Sequence, residues 1–193
     1  MAATAIQEKE KIQATKTKFI SLNEFKNRYA TRKDNFKYEW ANGHIEKTPR
    51  TINRDQTLII QRLQRLFSTT KAYRNMGELV SELDMFLPTA NRTRRADFGY
   101  LTAKQVAASV GGDMSPSAFV IEVISKNDQI NEVGTKLMEY FNNGVQVVWL
   151  IFPKLKKVEV YRSLRDVSVC YDDDICSATP VLTDFEIAVS SLF

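Results

Sequence analysis

The 193-residue sequence holds one histidine and two cysteines. A histidine-based catalytic triad would have to rest on His44 alone, and a Cys/His zinc site lacks ligands. Cys170 and Cys176 are too few for a disulfide scaffold and read as reduced thiols of a cytoplasmic protein. No run of about 18 apolar residues occurs, which argues against a transmembrane helix. The N-terminus lacks the apolar core of a signal peptide. No internal repeat is present.

What is there is ordinary for a globular chain: 44% apolar and 26% charged residues. The length suffices for one domain with a proper core. The net charge of +4 and pI near 9.0 permit nucleic-acid binding without requiring it. Residues 1–18 mix charges without apolar periodicity and read as a flexible tail. Residues 19–193 read as a single domain. Ser21 and Glu24 have the spacing of a helix-capping box. "NFKYEWANGHIEK" reads as a β-hairpin turning at Asn42-Gly43. Its Phe36, Tyr38 and Trp40 share one face, as a core or interface set rather than a base-stacking platform. Lys37 and Glu39 take the other face. A helix follows on Ile59, Leu63, Leu66 and Phe67, with Arg54, Arg62 and Arg65 on its outer side. Two strands, "ELVSELDMFLP" and "RRADFGYL", then precede the short helix "TAKQVAAS".

The stretch "FVIEVISKNDQINEVGTKLMEYF", residues 119–141, raises the chemical question. Its start is a buried strand by composition, yet Glu122 sits inside it. A buried carboxylate is costly unless paired. Asn127 or Asp128 can cap the helix that follows, and Gly144 can end it. Ile130, Val133, Leu137, Tyr140 and Phe141 form its inner stripe. Lys136 falls on the flank of that stripe, where it can reach Glu122 or a substrate phosphate; Glu132, Glu139 and Asn143 fall further round, towards solvent. A second apolar strand, "VQVVWLI", completes a strand–helix–strand crossover. The fold class is therefore α/β with a mixed sheet. Asp97, in "RRADFGYL", lies on a strand that could neighbour the Glu122 strand. Two such carboxylates, a backbone carbonyl and waters suit Mg²⁺. The bland alternative is an ion pair between Glu122 and Lys136 filling a core gap. His44 and the aspartates of "YDDDI" read as surface and turn residues.

Several pieces occur together in order: "YEWANGHIEK", "RRADFGYL", "FVIEVISKND" and "KLMEYFNNGVQVVWLIFP". In these the chain, from about residue 19 to 193, resembles the Uma2 family of predicted endonucleases (DUF820) in the PD-(D/E)XK superfamily. The resemblance implies a restriction-endonuclease-like fold: a mixed central β-sheet flanked by helices, with an N-terminal helix and β-hairpin. It implies that Asp97 and Glu122 are the motif carboxylates, with the Val123 carbonyl, holding Mg²⁺ or Mn²⁺. Ile124 stands where the superfamily's lysine usually lies, and Lys136 matches the helix lysine that substitutes for it. Glu39 matches the hairpin glutamate, which the resemblance implies is a further ligand or a group behind the ligands that completes the catalytic site. Gln56, Ala96 and Phe152 replace a histidine, a proline and an aspartate of the family pattern. Arg94, Arg95 and Lys126 would then be phosphate contacts. The implied function is divalent-metal-dependent hydrolysis of DNA phosphodiester bonds, with DNA as partner and a homodimer to cut two strands. The alternative is a nuclease-fold protein that has lost useful catalysis and acts as a nucleic-acid-binding or protein-interaction module.

Overall fold

The structure, a computed structural model, describes residues 18–49, 54–126 and 128–193. The tail read over residues 1–18 lies outside these except for Lys18. Asn127, one of the two expected helix caps, also lies outside them, as does the side chain of Arg54. Helix α1 (Leu22–Phe25) begins where the Ser21 hydroxyl accepts the Glu24 amide at 3.1 Å, satisfying a donor that a helix start leaves orphaned. It continues as a π-helical turn over Lys26–Ala30. Phe25 packs with Ile20, Tyr38 and Trp40 in a small core of its own. Tyr38 and Trp40 come from strand β1 (Phe36–Ala41), which pairs antiparallel with β2 (His44–Pro49). Asn42 and Gly43 turn the hairpin with φ of 48° and 87°, the left-handed pair that a tight hairpin needs. Strand alternation leaves Lys37 and Glu39 on the reverse face.

Helices α2 (Arg54–Phe67) and α3 (Lys71–Arg74) lead to the long hairpin of β3 (Glu78–Leu87) and β4 (Arg92–Leu101). Helix α4 (Ala103–Val110) starts in a full capping box made by Thr102 and Gln105. Strand β5 (Phe119–Val123), helix α5 (Ile130–Asn142) and strand β6 (Val147–Phe152) make the expected parallel crossover. Both strands are apolar throughout save Glu122, because each is covered on both faces. Helix α5 starts later than expected. Asp128 does not cap it: its Oδ2 accepts the Ser125 amide at 2.7 Å and closes a turn, so Gln129 takes the cap position without a side-chain bond. Strands β7 (Lys157–Tyr161) and β8 (Val167–Tyr171) extend the sheet, and β9 (Ile175–Ala178) pairs separately with β10 (Leu182–Ala188).

The sheet runs β2-β1-β4-β5-β6-β7-β8, with β3 also bonded to β4. One core covers a face with α2, β9 and β10; it includes Phe119, Trp149 and Phe185. The other lies under α5 and includes Val120, Val148, Leu150, Leu137 and Tyr140. Two irregularities in β4 shape the cleft beside it. Its edge away from β3 is shared: β1 meets it only at Ala41↔Arg92, and β5 only at Phe98↔Ile121 and Gly99↔Val120. Between those contacts β1 and β5 diverge, and residues 94–97 face a fork. Side-chain alternation also slips there. Ala96 packs under α5 while Phe98 packs in the opposite core, although both are even-numbered. The slip lies between the pairs Ser81↔Phe98 and Leu83↔Ala96, where Glu82 takes φ of 53°. The register is unchanged across the slip, and Asp97 stands opposite Glu82 at it.

Candidate functional site

A cleft of about 700 Å³ opens at the fork. It is lined by Lys37 and Glu39 of β1, Arg94, Arg95 and Asp97 of β4, Glu122 and Val123 of β5, and Glu132, Lys136 and Tyr140 of α5. The fork leaves backbone donors without strand partners, and side-chain carboxylates take them. The Arg95 amide donates to Glu39 Oε1 at 2.9 Å, and the Val123 amide donates to Asp97 Oδ2 at 2.6 Å. Both carboxylates are thus held in place by the strand splay itself.

Asp97 and Glu122 lie one step beyond the last paired residues of β4 and β5, Phe98 and Ile121, so they are cross-strand neighbours. Burial, and then the charge of Glu122, push the Asp97 carboxyl up to about 6. Glu122 is buried and faces α5. Lys136 Nζ donates to its Oε2 at 3.2 Å, and the Tyr140 hydroxyl donates to its Oε1. Lys136 and Tyr140 are one helical turn apart and so share a face. Burial alone would lower the Lys136 amine, but Glu122, Glu39 and Asp97 hold it above its ordinary value, so it stays charged. Burial and the Glu122 charge raise the Tyr140 phenol well above its usual value, so it stays a donor. The expected return of Lys136 to Glu122 is therefore present, and Tyr140 joins it.

Glu39 sits across the fork. Burial would raise its carboxyl, but Lys37, Arg94 and the Arg95 amide overcome that and bring it down to about 2. Arg94 donates from Nη1 to Glu39 at 3.0 Å and from Nε to Glu139 at 2.6 Å. Arg95 grips Asp84 with two bonds of 2.8 and 2.7 Å and donates to the Ala30 carbonyl at 2.8 Å. Both guanidiniums line the cleft, yet both are buried and engaged with internal acceptors rather than held open as phosphate clamps. Nη2 of Arg94 and Nε of Arg92 are buried without a partner among the described residues. Glu139 does not point to solvent as its helical phase suggested. Arg92 and Arg94 reach onto α5 from the start of β4 and draw it in, leaving it 13% exposed. Asn143 is drawn to Thr89 in the same way. Lys126 is exposed after β5 and does not line the cleft; His44 is exposed at the start of β2. Asp174 closes a local turn by accepting the Tyr171 amide, and Asp173 accepts the Ser190 hydroxyl from the C-terminal turn.

These donors suit one kind of ion. Among the described residues no three His, Cys, Asp or Glu side chains converge on a point. Glu39 accordingly does not join Asp97 and Glu122 as a third shared ligand. Two crowded carboxylates, one of them raised by the other, do fit a hard cation that keeps most of its waters, as Mg²⁺ does, and do not fit a closed zinc site.

The opposed shifts give a pH prediction. Asp97 is raised in the folded state, so its contribution is present below about pH 4 and is lost as pH rises through about 6. Glu39 is depressed, so its contribution is present above about 4.5 and is lost as pH falls towards 2. Without divalent ions, the Asp97→Asn variant should gain on the parent in unfolding free energy between pH 4 and 7. The gain should be on the order of 2 kcal/mol. Urea melts at stepped pH measure it, and parallel curves for the two proteins would refute the assignment.

Known proteins share this architecture. The model of the Uma2 family, described as "Putative restriction endonuclease", matches residues 22–190. A crystal structure from Anabaena variabilis ATCC 29413, described as a putative nuclease belonging to DUF820, superposes with a TM-score of 0.72. It is 17% identical, and the alignment covers 90% of this chain and 97% of that one. No curated protein matches the sequence.

Proposed function

The chain belongs to the Uma2 family, and from that premise we propose that it is a divalent-metal-dependent endonuclease hydrolysing phosphodiester bonds of DNA in the cytoplasm. The observation that carries the reading is the pair Asp97 and Glu122 set side by side at the fork, with the charged amine of Lys136 beside them. Asp97, Glu122 and the Val123 carbonyl would hold Mg²⁺ or Mn²⁺. Such an ion polarises a phosphoryl oxygen and lowers the pKa of a bound water. The chain's own groups do the rest. The Val123 amide fixes the orientation of Asp97. Tyr140 and Lys136 fix that of Glu122. The Lys136 amine offsets negative charge that builds on the phosphate oxygens, inside a partly desolvated cleft where such an interaction is strong. Lys37, at the cleft wall, and Lys126, outside it, are candidates for the flanking phosphates. Arg94 and Arg95 act through Glu39 and Asp84, as positioning residues.

One observation favours a second reading, a nuclease-fold protein that binds nucleic acid without cutting it. No third carboxylate joins Asp97 and Glu122 among the described residues. Supercoiled plasmid separates the two. Nicking with Mg²⁺ or Mn²⁺ and none with chelator supports the endonuclease. Retarded migration of DNA in Mg²⁺, Mn²⁺ and chelator alike, without nicking, supports the binding protein. Neither cleavage nor binding overturns both.

A further inference from the structure

The end of the sheet furthest from β2 is unfinished. Among the described residues strand β8 is an edge strand. Its odd-numbered side chains share one face and are apolar yet open: Val167 is 45%, Val169 48% and Tyr171 46% exposed. Native sheets ordinarily blunt such an edge with charge, proline or a cover. The backbone along it is open as well. The β7–β8 turn is closed by the Arg162 amide donating to the Asp166 carbonyl at 2.9 Å, and antiparallel pairs alternate from there. Even-numbered residues of β8 therefore bond to β7, and odd-numbered ones turn N–H and C=O outward. Tyr171 is capped locally: its amide donates to Asp174 Oδ2 at 3.0 Å, and its carbonyl accepts the Asp174 amide at 2.8 Å. Val167 and Val169 have no such caps among the described residues.

We propose that this edge docks on the same edge of a second copy of the chain, β8 antiparallel to β8 about a two-fold axis at Ser168. In that register Val167 of each copy exchanges both backbone hydrogen bonds with Val169 of the other, so every open group on the edge is satisfied. An axis at Val169 would set Val167 against Tyr171, whose groups Asp174 already occupies. The contact is self-complementary, as a two-fold interface must be. Charge fits the same register. The turn before β8 carries Arg162, Arg165 and Asp166, and the turn after it carries Asp172, Asp173 and Asp174. The two-fold sets the basic turn of each copy beside the acidic turn of the other, at both ends. The cleft stays open, because the β1–β4–β5 fork is separated from β8 by β6 and β7. The pairing does not rest on the nuclease reading.

Sedimentation velocity over a range of concentrations tests it. The parent protein is expected to form a reversible dimer in the micromolar range. The Val169→Pro variant removes only an outward N–H, which an edge strand tolerates. The Val169→Lys variant adds the charge that edges ordinarily carry. Both should weaken self-association at least about tenfold and keep the parent's circular dichroism and melting. In the proposed register two Ser168 residues oppose as a non-hydrogen-bonded pair, Cα atoms about 4.5 Å apart, within disulfide reach. Ser168→Cys should therefore give a reducible covalent dimer on oxidation, and Thr183→Cys on β10 should not. A parent protein that stays monomeric throughout overturns the proposal. So does a Val169→Lys dimer as tight as the parent's, or a dimeric Ser168→Cys protein that fails to cross-link.

Discussion

Exchanging Glu122 for glutamine, or Asp97 for asparagine, is expected to lower divalent-dependent DNA cleavage by about a thousandfold or more while leaving DNA binding intact. The size comes from what a ligating charge does in such a site. Stabilisation of phosphoryl charge and activation of water are each worth several kcal/mol, and a neutral amide supplies little of either. Glutamine keeps the shape of Glu122 and can still accept the Tyr140 hydroxyl, so the cleft wall should hold. What it loses is the charge facing Lys136 and Asp97. The two variants should nonetheless differ in stability. Asp97→Asn relieves a carboxyl that the folded protein already raises, whereas Glu122→Gln leaves the Lys136 ammonium short of its nearest counter-charge. Plasmid nicking measured beside gel retardation checks the claim. Cleavage equal to the parent's in either variant would remove Asp97 and Glu122 from the chemistry, and loss of cleavage together with loss of fold would be visible in the melting curve. A Lys136→Met variant should also fail to cleave, and it should bind DNA less strongly, because the cleft loses a cation.

The part of this site that rests on local pattern is legible in the sequence. A lone glutamate in an apolar strand demands a partner, and Lys136, by helical phase, is the cation that can return to it. The α/β class comes from two continuous apolar strands around an amphipathic helix, and the hairpin from Asn42-Gly43. What pattern does not carry is position across the fold. Tyr140 recurs at core spacing and reads as packing; only the need of Glu122 for a second donor, and the four-residue step from Lys136, hint that its hydroxyl matters. Glu139 reads as solvent-facing because nothing near it in sequence says that the start of β4 will lay two arginines against it. Arg94 and Arg95 beside Asp97 read as phosphate contacts for the same reason: their carboxylate partners, Glu39, Glu139 and Asp84, come from three other elements. The fork itself is a tertiary fact. Strand β1 joins β4 through a single residue pair, and no periodicity within "FKYEWA" foretells where the two part.

The largest effect on stability is expected from Arg94. Its side chain is 3% exposed, and it ties β1 to α5 through β4 by bonding Glu39 on one side and Glu139 on the other. Burial would weaken its charge, but Glu139 and Glu39 outweigh that and hold it firmly ionised. Arg94→Ala would leave two mostly buried carboxylates short of their closest cation. Breaking such a pair by removing one member costs about 3–5 kcal/mol, because the remaining charge stays desolvated. Lys37 and the Arg95 amide would still serve Glu39, and Arg92 would still reach Glu139, so the lower part of that range is expected. The loss should shrink in acid. Glu39 owes its depressed value partly to Arg94, and that contribution to stability disappears as pH falls from about 4.5 towards 2, where the carboxylate is protonated with or without the arginine. Arg94→Lys should recover only part of the loss, since one ammonium cannot span two carboxylates as a planar guanidinium does. Urea unfolding stepped from pH 7 down to about pH 2 measures all of this. A midpoint that falls without a change in slope assigns the loss to the folded state, and a double-mutant cycle with Glu139→Gln isolates the pair. If Arg94→Ala costs less than about 1 kcal/mol at pH 7, the arginine is not what holds Glu39 at the fork.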